Sequence, residues 1–517
     1  MKRSPFLPIA SILSLFALAT STTAPAQDAS LDLSLREAIE QGLAANLSLR
    51  IQKMEPDIAE ASIEAQQAAF DPTLFSNASL NQSDLDWTDE DGNLRQTISD
   101  SRSYSLGVSK RVAIGGQLTA SARHSRSDGS SFNPDLNQLV GGGLSERASL
   151  SLEYTQPLLR DFGKNVNLAG VRRAKSQARV ADLQTRSAVF DLLQETETAY
   201  WRLAYAYQRL KLRRSNLELS QSLLEESEER QRLGLATRIE TLQAQANLAQ
   251  RQEEIIVAEQ QIKNATDDLL AVIGALDEQL AIEQELTVSQ LPEASRPEER
   301  YQDFLQTALE RNFDTDIQEE LLEQLEQQRI LAKNERRPQV DLTLSSSYNG
   351  LSPISGEDAF SEAFDRRGDD WGMRLSFTLP WGQRSAKATL KQTEWRIEQG
   401  EIQLAEIRQN LLRSARSAWR DRLASAERLY AAELVVELQQ ATYEQERGKY
   451  DEGLSTFRTL LEAQRDLDQA KLSLLDARLE AIESDITLAR VEGTILERHG
   501  IDWNVPLEDD ADLPIEP

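Results

Sequence analysis

The chain contains no cysteine. Neither a disulfide framework nor a thiolate metal site can be built from it, and no lipid-bearing cysteine can follow an export signal. Histidine is nearly absent too: His124 and His499 are the whole complement, and they share no metal-ligand spacing. Positive charge is scarce, with 57 Lys and Arg against 85 Asp and Glu and a formal net charge of −28. Such an acid excess argues against wrapping nucleic acid, whose phosphates need a basic footprint. Gly141-Gly142-Gly143 lacks the Lys and following helix of a phosphate loop. No Ser-His-acid set can be placed, and the abundant paired carboxylates follow from i,i+4 charge patterning on helices. The sequence therefore reads as no enzyme, with no cofactor. Past the first residues there is no run of about 18 apolar residues. If the protein crosses a membrane, a closed β-barrel must do it.

What is present begins at the N-terminus. Lys2 and Arg3 precede a mostly apolar stretch from Phe6 to Ala19, and Ala24-Pro25-Ala26 offers a small-x-small cleavage site. Residues 1–26 thus read as a secretory signal peptide, and the protein as exported.

The rest of the chain repeats itself. The stretch RLGLATRIETLQAQ from Arg232 returns as DEGLSTFRTLLEAQ from Asp451. Gly453 stands 219 positions beyond Gly234 (453 − 234), and at that offset Leu235 meets Leu454 and Thr237 meets Thr456. Around these turns run seven-residue apolar grids. Val189, Leu203, Leu210, Leu217 and Leu224 form one, continued by Leu429, Val436 and Tyr443. Leu248, Ile255, Ile262, Leu269 and Leu276 form another, matched by Leu467, Leu474, Ala481, Leu488 and Ile495. A seven-residue repeat is a left-handed coiled-coil seam. Each half is expected to be a long helix, a glycine turn and a returning antiparallel helix. The first long helix should cover about 70 residues, or about 105 Å at 1.5 Å per residue.

A second match, at a larger offset, pairs Pro72 with Pro338 (338 − 72 = 266). The first half therefore carries extra sequence, in the polar region from Leu74 to Gln156. Here the period changes to two. Tyr104, Leu106 and Val108 alternate with small polar residues, as do Leu118, Ala120 and Ala122, Leu150, Leu152 and Tyr154, Val340, Leu342 and Leu344, and Met373, Leu375 and Phe377. That is strand grammar, and an apolar row opposite a polar row suits a membrane barrel, with a soluble β-sandwich as the alternative. Pro72, Pro157, Pro338 and Pro380 mark the junctions between regimes.

The two-fold repeat, the phrase QPLLRDFG at Gln156 to Gly163 and the two Gly-Leu turns together resemble the TolC family of outer-membrane efflux and secretion channels, from about Leu33 to about Gly500. The resemblance implies a mixed fold: an all-α coiled-coil α-barrel plus a transmembrane antiparallel β-barrel, with a two-fold internal repeat, assembled as a trimeric duct. It implies a homotrimer in the outer membrane of a Gram-negative bacterium, with outer-membrane lipid around it and a long periplasmic portion. Its partners would be a periplasmic adaptor, or membrane fusion protein, and an inner-membrane pump of RND or ABC type. The expected function is the passive exit duct of a tripartite efflux pump or type I secretion system. The alternative is a structural periplasmic tether of coiled coil with an outer-membrane β anchor.

On this plan 27–72 form N-terminal periplasmic helices, 73–158 the first-half barrel strands and extracellular loops, and 159–290 the first long hairpin. Residues 291–337 form equatorial helices, 338–381 the second-half strands, 382–500 the second long hairpin, and 501–517 an acidic tail. By position, the family's gate tyrosine falls on Tyr450, its aspartate partner on Glu240, and one constriction carboxylate on Glu462. A second constriction position is Thr459 and the gating arginine position is Ser455, so those two features are missing; Arg238 and Arg458 lie nearby as substitutes. Glu462 also reads as a solvated helix-surface carboxylate and Tyr450 as coiled-coil packing. The adaptor would meet the tips at Gly234, Leu235, Thr237, Gly453, Leu454 and Thr456; both threonines also read as helix N-caps. Gly115-Gly116 reads as a tight hairpin between longer polar segments at Asp84 to Ser101 and Arg126 to Arg147. The family has four strands per subunit, so an extra hairpin projecting outside the cell is favoured over one that joins the wall.

Overall fold

The computed structural model describes residues 31–88, 92, 94–133, 138–276, 286–292, 300–365 and 368–501. The expected signal peptide and, beyond Ile501, the acidic tail lie outside these residues. In chain order the elements are β1 (Leu31–Leu33), α1 (Leu35–Ala45), α2 (Leu47–Gln52), α3 (Glu55–Gln67), β2 (Thr73–Thr88), β3 (Leu94–Arg111), β4 (Gln117–Asn133) and β5 (Gln138–Pro157). Then follow α4 (Lys164–Asn167), α5 (Ala169–Arg232), α6 (Arg238–Val272), β6 (Leu286–Val288), α7 (Tyr301–Glu310) and α8 (Phe313–Glu335). The chain ends with β7 (Gln339–Ser352), α9 (Gly356–Phe364), β8 (Asp369–Thr378), α10 (Arg384–Asp451), α11 (Phe457–Glu492) and α12 (Ile495–Arg498). No described helix is long and apolar enough to cross a membrane.

The chain divides into two units. One takes Thr196–Glu293 and Val435–Leu479 with the N-terminal segment to Gln41; the other takes Gly42–Glu195, Ala294–Leu434 and the C-terminal remainder.

The second unit carries the sheet. Six strands run in the order β2-β3-β4-β5-β7-β8, every neighbouring pair antiparallel. Alternation sorts the side chains. One row crosses the sheet as Leu74, Val108, Ala120, Leu152, Ser346 and Trp371; the adjacent row crosses as Gly107, Ser121, Ser151, Ser347 and Asp370. The polar face holds itself together with cross-strand hydroxyl bonds, Ser79–Ser103 at 2.7 Å, Ser121–Ser151 at 2.8 Å and Thr155–Thr343 at 3.1 Å. The prolines do what their chemistry allows: Pro72 and Pro338 precede strands, Pro157 ends one, and Pro380 follows one.

The hairpin expected to project stands within the sheet instead. β3 and β4 pair with each other and with β2 and β5 on their outer sides, so both lie within the sheet. The segments read as long polar loops are mostly strand: β2 reaches Thr88, β3 begins at Leu94, and β4 and β5 extend to Asn133 and back from Gln138. These ends carry no alternation that continues the apolar row below them, Leu85 and Trp87 falling on the opposite parity to Leu74 and Leu80, so no sustained period-two signal marks them.

Two further contacts shape this unit. α9 packs on β5 and β7 through Ala148, Ala359 and Ala363, all fully buried. At the strand-to-helix junction Asp161 has φ 62, a left-handed conformation. Asn334 holds it from both sides: the Asp161 N–H donates to Asn334 Oδ1 (3.0 Å) and Asn334 Nδ2 donates to Asp161 Oδ1 (2.7 Å). Among the helices, Phe304 is fully buried against Ala415, Ala418 and Leu488, with Tyr301 and Trp419 packed on it.

The first unit is helical apart from the parallel pair β1–β6. The Tyr200 hydroxyl ties this pair down, donating to the Leu33 carbonyl and accepting from the Ser289 N–H, both at 2.9 Å. On the first apolar grid Leu203 and Leu210 are buried, but Leu217 and Leu224 are only half-buried; Asn216 and Leu223, one residue earlier, take their place. A 3.6-residue helix drifts against a seven-residue repeat, and here the drift shows.

Candidate gate and turn sites

Both Gly-Leu turns close with the same hydrogen bonds. The Leu235 N–H donates to the Arg230 carbonyl (2.8 Å) and the Gly234 N–H to the Gln231 carbonyl (3.0 Å). The second turn repeats this from Leu454 to Lys449 (2.7 Å) and from Gly453 to Tyr450 (3.0 Å). This is the Schellman pattern, which needs a left-handed residue just past the helix. Gly234 (φ 74) and Gly453 (φ 76) supply it without a Cβ penalty. Leu235 and Leu454 are left 70% and 75% exposed.

The helices restart differently. Thr237 and Glu240 form a reciprocal capping box at α6, the Thr237 hydroxyl accepting from the Glu240 N–H and the Glu240 carboxylate accepting from Thr237. At α11 the Thr456 hydroxyl accepts from the Thr459 N–H at 3.3 Å, with no carboxylate to reciprocate. Ser455 instead donates to Glu446 at 3.0 Å. That bond and the Lys449 ammonium hold the Glu446 carboxyl below its ordinary value, the Lys449 bond being the larger cause.

Tyr450 is buried, 4% exposed, in a cluster with Leu223, Ala244, Phe457 and Leu460. The Arg230 guanidinium lies 4.5 Å over its ring, a cation–π contact. Its hydroxyl is buried with no hydrogen-bond partner among the described residues. Burial pushes the phenol above its ordinary value; Arg230 pulls it down and the Glu240 carboxylate pushes it up. Glu240 is thus near Tyr450 without bonding to it, its own carboxylate being engaged by the cap. Glu462 pairs with Arg458 at 3.0 Å on the exposed side of α11, and Arg238 stands exposed at the start of α6.

The links between the two hairpins fall on residues that sequence reading missed. Arg447 of α10 bonds Glu226 of α5 at 2.5 Å and reaches Asp451 at 3.4 Å. Arg251 of α6 meets Asp468 of α11 at 2.6 Å, the two side chains 7% and 4% exposed. Burial raises the Asp468 carboxyl while Arg251 opposes that. Tyr205 of α5 donates to Asp476 of α11 at 2.5 Å, and burial together with that carboxylate pushes the phenol up to about 12. Around these links Asn216, Ser220 and Gln464 are buried with side-chain polar atoms unbonded among the described residues. Elsewhere His124 Nε2 lies 2.8 Å from the buried Glu146 carboxylate, away from the turns. Among the described residues no group of three His, Asp or Glu side chains could hold a metal ion.

This architecture is that of solved outer-membrane channels. The outer-membrane channel OprN superposes with a TM-score of 0.66 at 19% identity, covering 89% of this chain and 90% of that one. The outer membrane protein VceC of Vibrio cholerae gives 0.63 at 20%, covering 89% and 96%. In sequence, the outer membrane protein TolC of Vibrio cholerae serotype O1 is 23% identical over 412 residues, which is 77% of this chain and 90% of TolC.

Those likenesses define the fold. The narrower assignment comes from the profile described as outer membrane efflux protein, which matches residues 117–275 and 304–494, more than half of the chain. The chain belongs to the outer membrane efflux protein family, and its place is the outer membrane of a Gram-negative cell.

Proposed function

We propose that three copies of this chain form the passive exit duct of a tripartite efflux pump or type I secretion system. The observation that carries this is the open sheet with one apolar and one small-polar face, joined in the same chain to helices of 64 and 68 residues. The apolar face meets lipid and the polar face lines water. Residues 73–158 and 338–381 supply the wall, 159–290 and 382–500 the stalk, and 27–72 and 291–337 its girdle. Support for assembly comes from α10, where the exposed pairs Trp395/Ile402 and Leu423/Tyr430 fall on one seven-residue grid, with Gln409 and Arg416 between them; neighbouring copies would cover the apolar pairs.

The gate lies at the tips. Near the tips Arg447–Glu226 and Arg230 over Tyr450 hold one hairpin to the other, and opening separates these; the buried Arg251–Asp468 and Tyr205–Asp476 lie further along the helices. Each partly exposed link contributes on the order of 1 kcal/mol or less, so docking of a periplasmic adaptor on Leu235 and Leu454 supplies enough to part them. Three copies of Glu462 and Glu240 near the narrow end would favour cations. Energy comes from the inner-membrane pump, and the chain catalyses nothing.

Planar bilayers test this. Purified protein should give discrete, cation-selective conductance, and the Glu240→Gln/Glu462→Gln double variant should be less selective. Unchanged selectivity removes the constriction assignment; a folded trimer that conducts nothing removes the duct.

A further inference from the structure

Two edges of the sheet are open. β2 pairs only with β3, and β8 only with β7, among the described residues. Hydrocarbon tolerates no row of unpaired backbone groups, and six strands are fewer than the eight of the smallest membrane barrels. The edges must therefore be completed by another chain. Polarity makes a second copy of this chain fit. β2 leaves the helix-side end after Pro72, β8 returns to it before Pro380, and every pair between them is antiparallel. β8 of one copy and β2 of the next then meet antiparallel, with no strand left over.

We propose that all six strands stand in the wall, so that three copies close an eighteen-stranded barrel. The count of three rests on the trimeric duct proposed above; the count of six rests on the sheet itself. β3 and β4 carry the same two faces as their neighbours: Val108 and Ala120 stand in register between Leu74 and Leu152 on the apolar face, and Gly107 and Ser121 lie in the row of Ser151 and Ser347 on the other, where Phe75 of β2 packs over Gly107. The turn joining β3 to β4 is also built into the helix-side end. The Gly163 N–H donates to the Ile114 carbonyl (3.0 Å), and Arg111 donates to Asn167 (2.9 Å), which donates in turn to the Asp161 carbonyl (2.8 Å). A Cβ on Gly115 would come within 2.1 Å of that same carbonyl oxygen. A hairpin hung outside the wall could make none of these contacts, and β2 would then have to pair with β5.

The consequence is a wider exit. With strands about 4.8 Å apart and tilted about 40°, eighteen strands give a backbone diameter of about 36 Å and twelve give about 24 Å. Electron cryomicroscopy of the full chain in nanodiscs, with the chain count taken by mass in detergent, tests both numbers. Three chains around a barrel of about 36 Å are expected. Three chains around about 24 Å overturn the six-strand wall and leave the duct standing. Any other chain count overturns the trimer and the eighteen together. The cysteine-free sequence permits a second check. Ser121→Cys/Ser151→Cys should form an intrachain disulfide. Asn77→Cys or Ser79→Cys, combined with Arg374→Cys or Ser376→Cys, should yield covalent trimers in at least one pairing. No disulfide at 121/151 means that β4 and β5 are not neighbours, and the proposal fails.

Discussion

The two Gly-Leu turns are alike in backbone and unlike in what surrounds them. Both reverse through the same Schellman bonds around a left-handed glycine. The first then caps itself with Thr237 and Glu240 and shows water an exposed Arg238. The second places Phe457 and Tyr450 in the apolar cluster and hands Arg447 to the other hairpin. A reversal can thus be copied by local chemistry alone, while attachment depends on which side chains the copy carries. The first hairpin brings Leu223, Ala244, Glu226 and Arg230 to that contact and the second brings the aromatic rings and Arg447, so the rings sit on one side only.

Truncating equivalent positions should separate the two tips most clearly. Phe457→Ala removes a buried ring and should cost about 3–5 kcal/mol, read as a lowered denaturation midpoint and as leak conductance in bilayers. Arg238→Ala, at the matching place, should stay within about 0.5 kcal/mol. Equal losses at both would mean that the two tips are held alike.

Glycine substitution probes what the tips share. Gly234→Ala and Gly453→Ala each force a Cβ into the left-handed region and should cost similar amounts, about 1–2 kcal/mol, by chemical denaturation. A large difference would show that the backbones are not equivalent.

Tyr205, pushed up to about 12, gives a pH handle. A raised phenol contributes stability that is whole below its free value of about 10 and is lost as pH rises through about 12. The wild type should therefore lose hairpin attachment across pH 10 to 12, followed by helical circular dichroism or by conductance. Tyr205→Phe should flatten part of that loss. The smallest expected effect is at Glu462, exposed and paired only with Arg458. Glu462→Gln alone should shift the bilayer reversal potential slightly and leave stability unchanged.

Turns, strand starts and helix lengths were legible in the sequence because glycine, proline and periodicity act on their own neighbourhood. Gly234, Gly453, Pro72 and Pro338 all punctuate where their backbone chemistry requires. The outer halves of β2 to β5 were not legible, since their sequence carries no alternation that continues the apolar row. Nor were the hairpin links. With 85 acidic and 57 basic residues, nothing local distinguishes Arg447, Glu226, Arg251 or Asp468 from the solvated charges beside them; only the packing of distant segments selects them. Glu240 shows a third case, where an expected gate carboxylate is already engaged by its own helix cap.

One feature of the sheet bears on where cargo leaves. β5 continues from Glu146, its last partner on β7 being Ser352, out to Gln138, while β7 and β8 stop short. At about 3.4 Å per residue the four first-half strands overtop the other two by about 25 Å. Repeated around the threefold axis proposed above, such a rim would be crenellated, with three tall walls and three low embrasures. On the proposed duct, solute reaching that mouth would meet sideways openings before it met the top, and its release would be lateral rather than a jet along the axis.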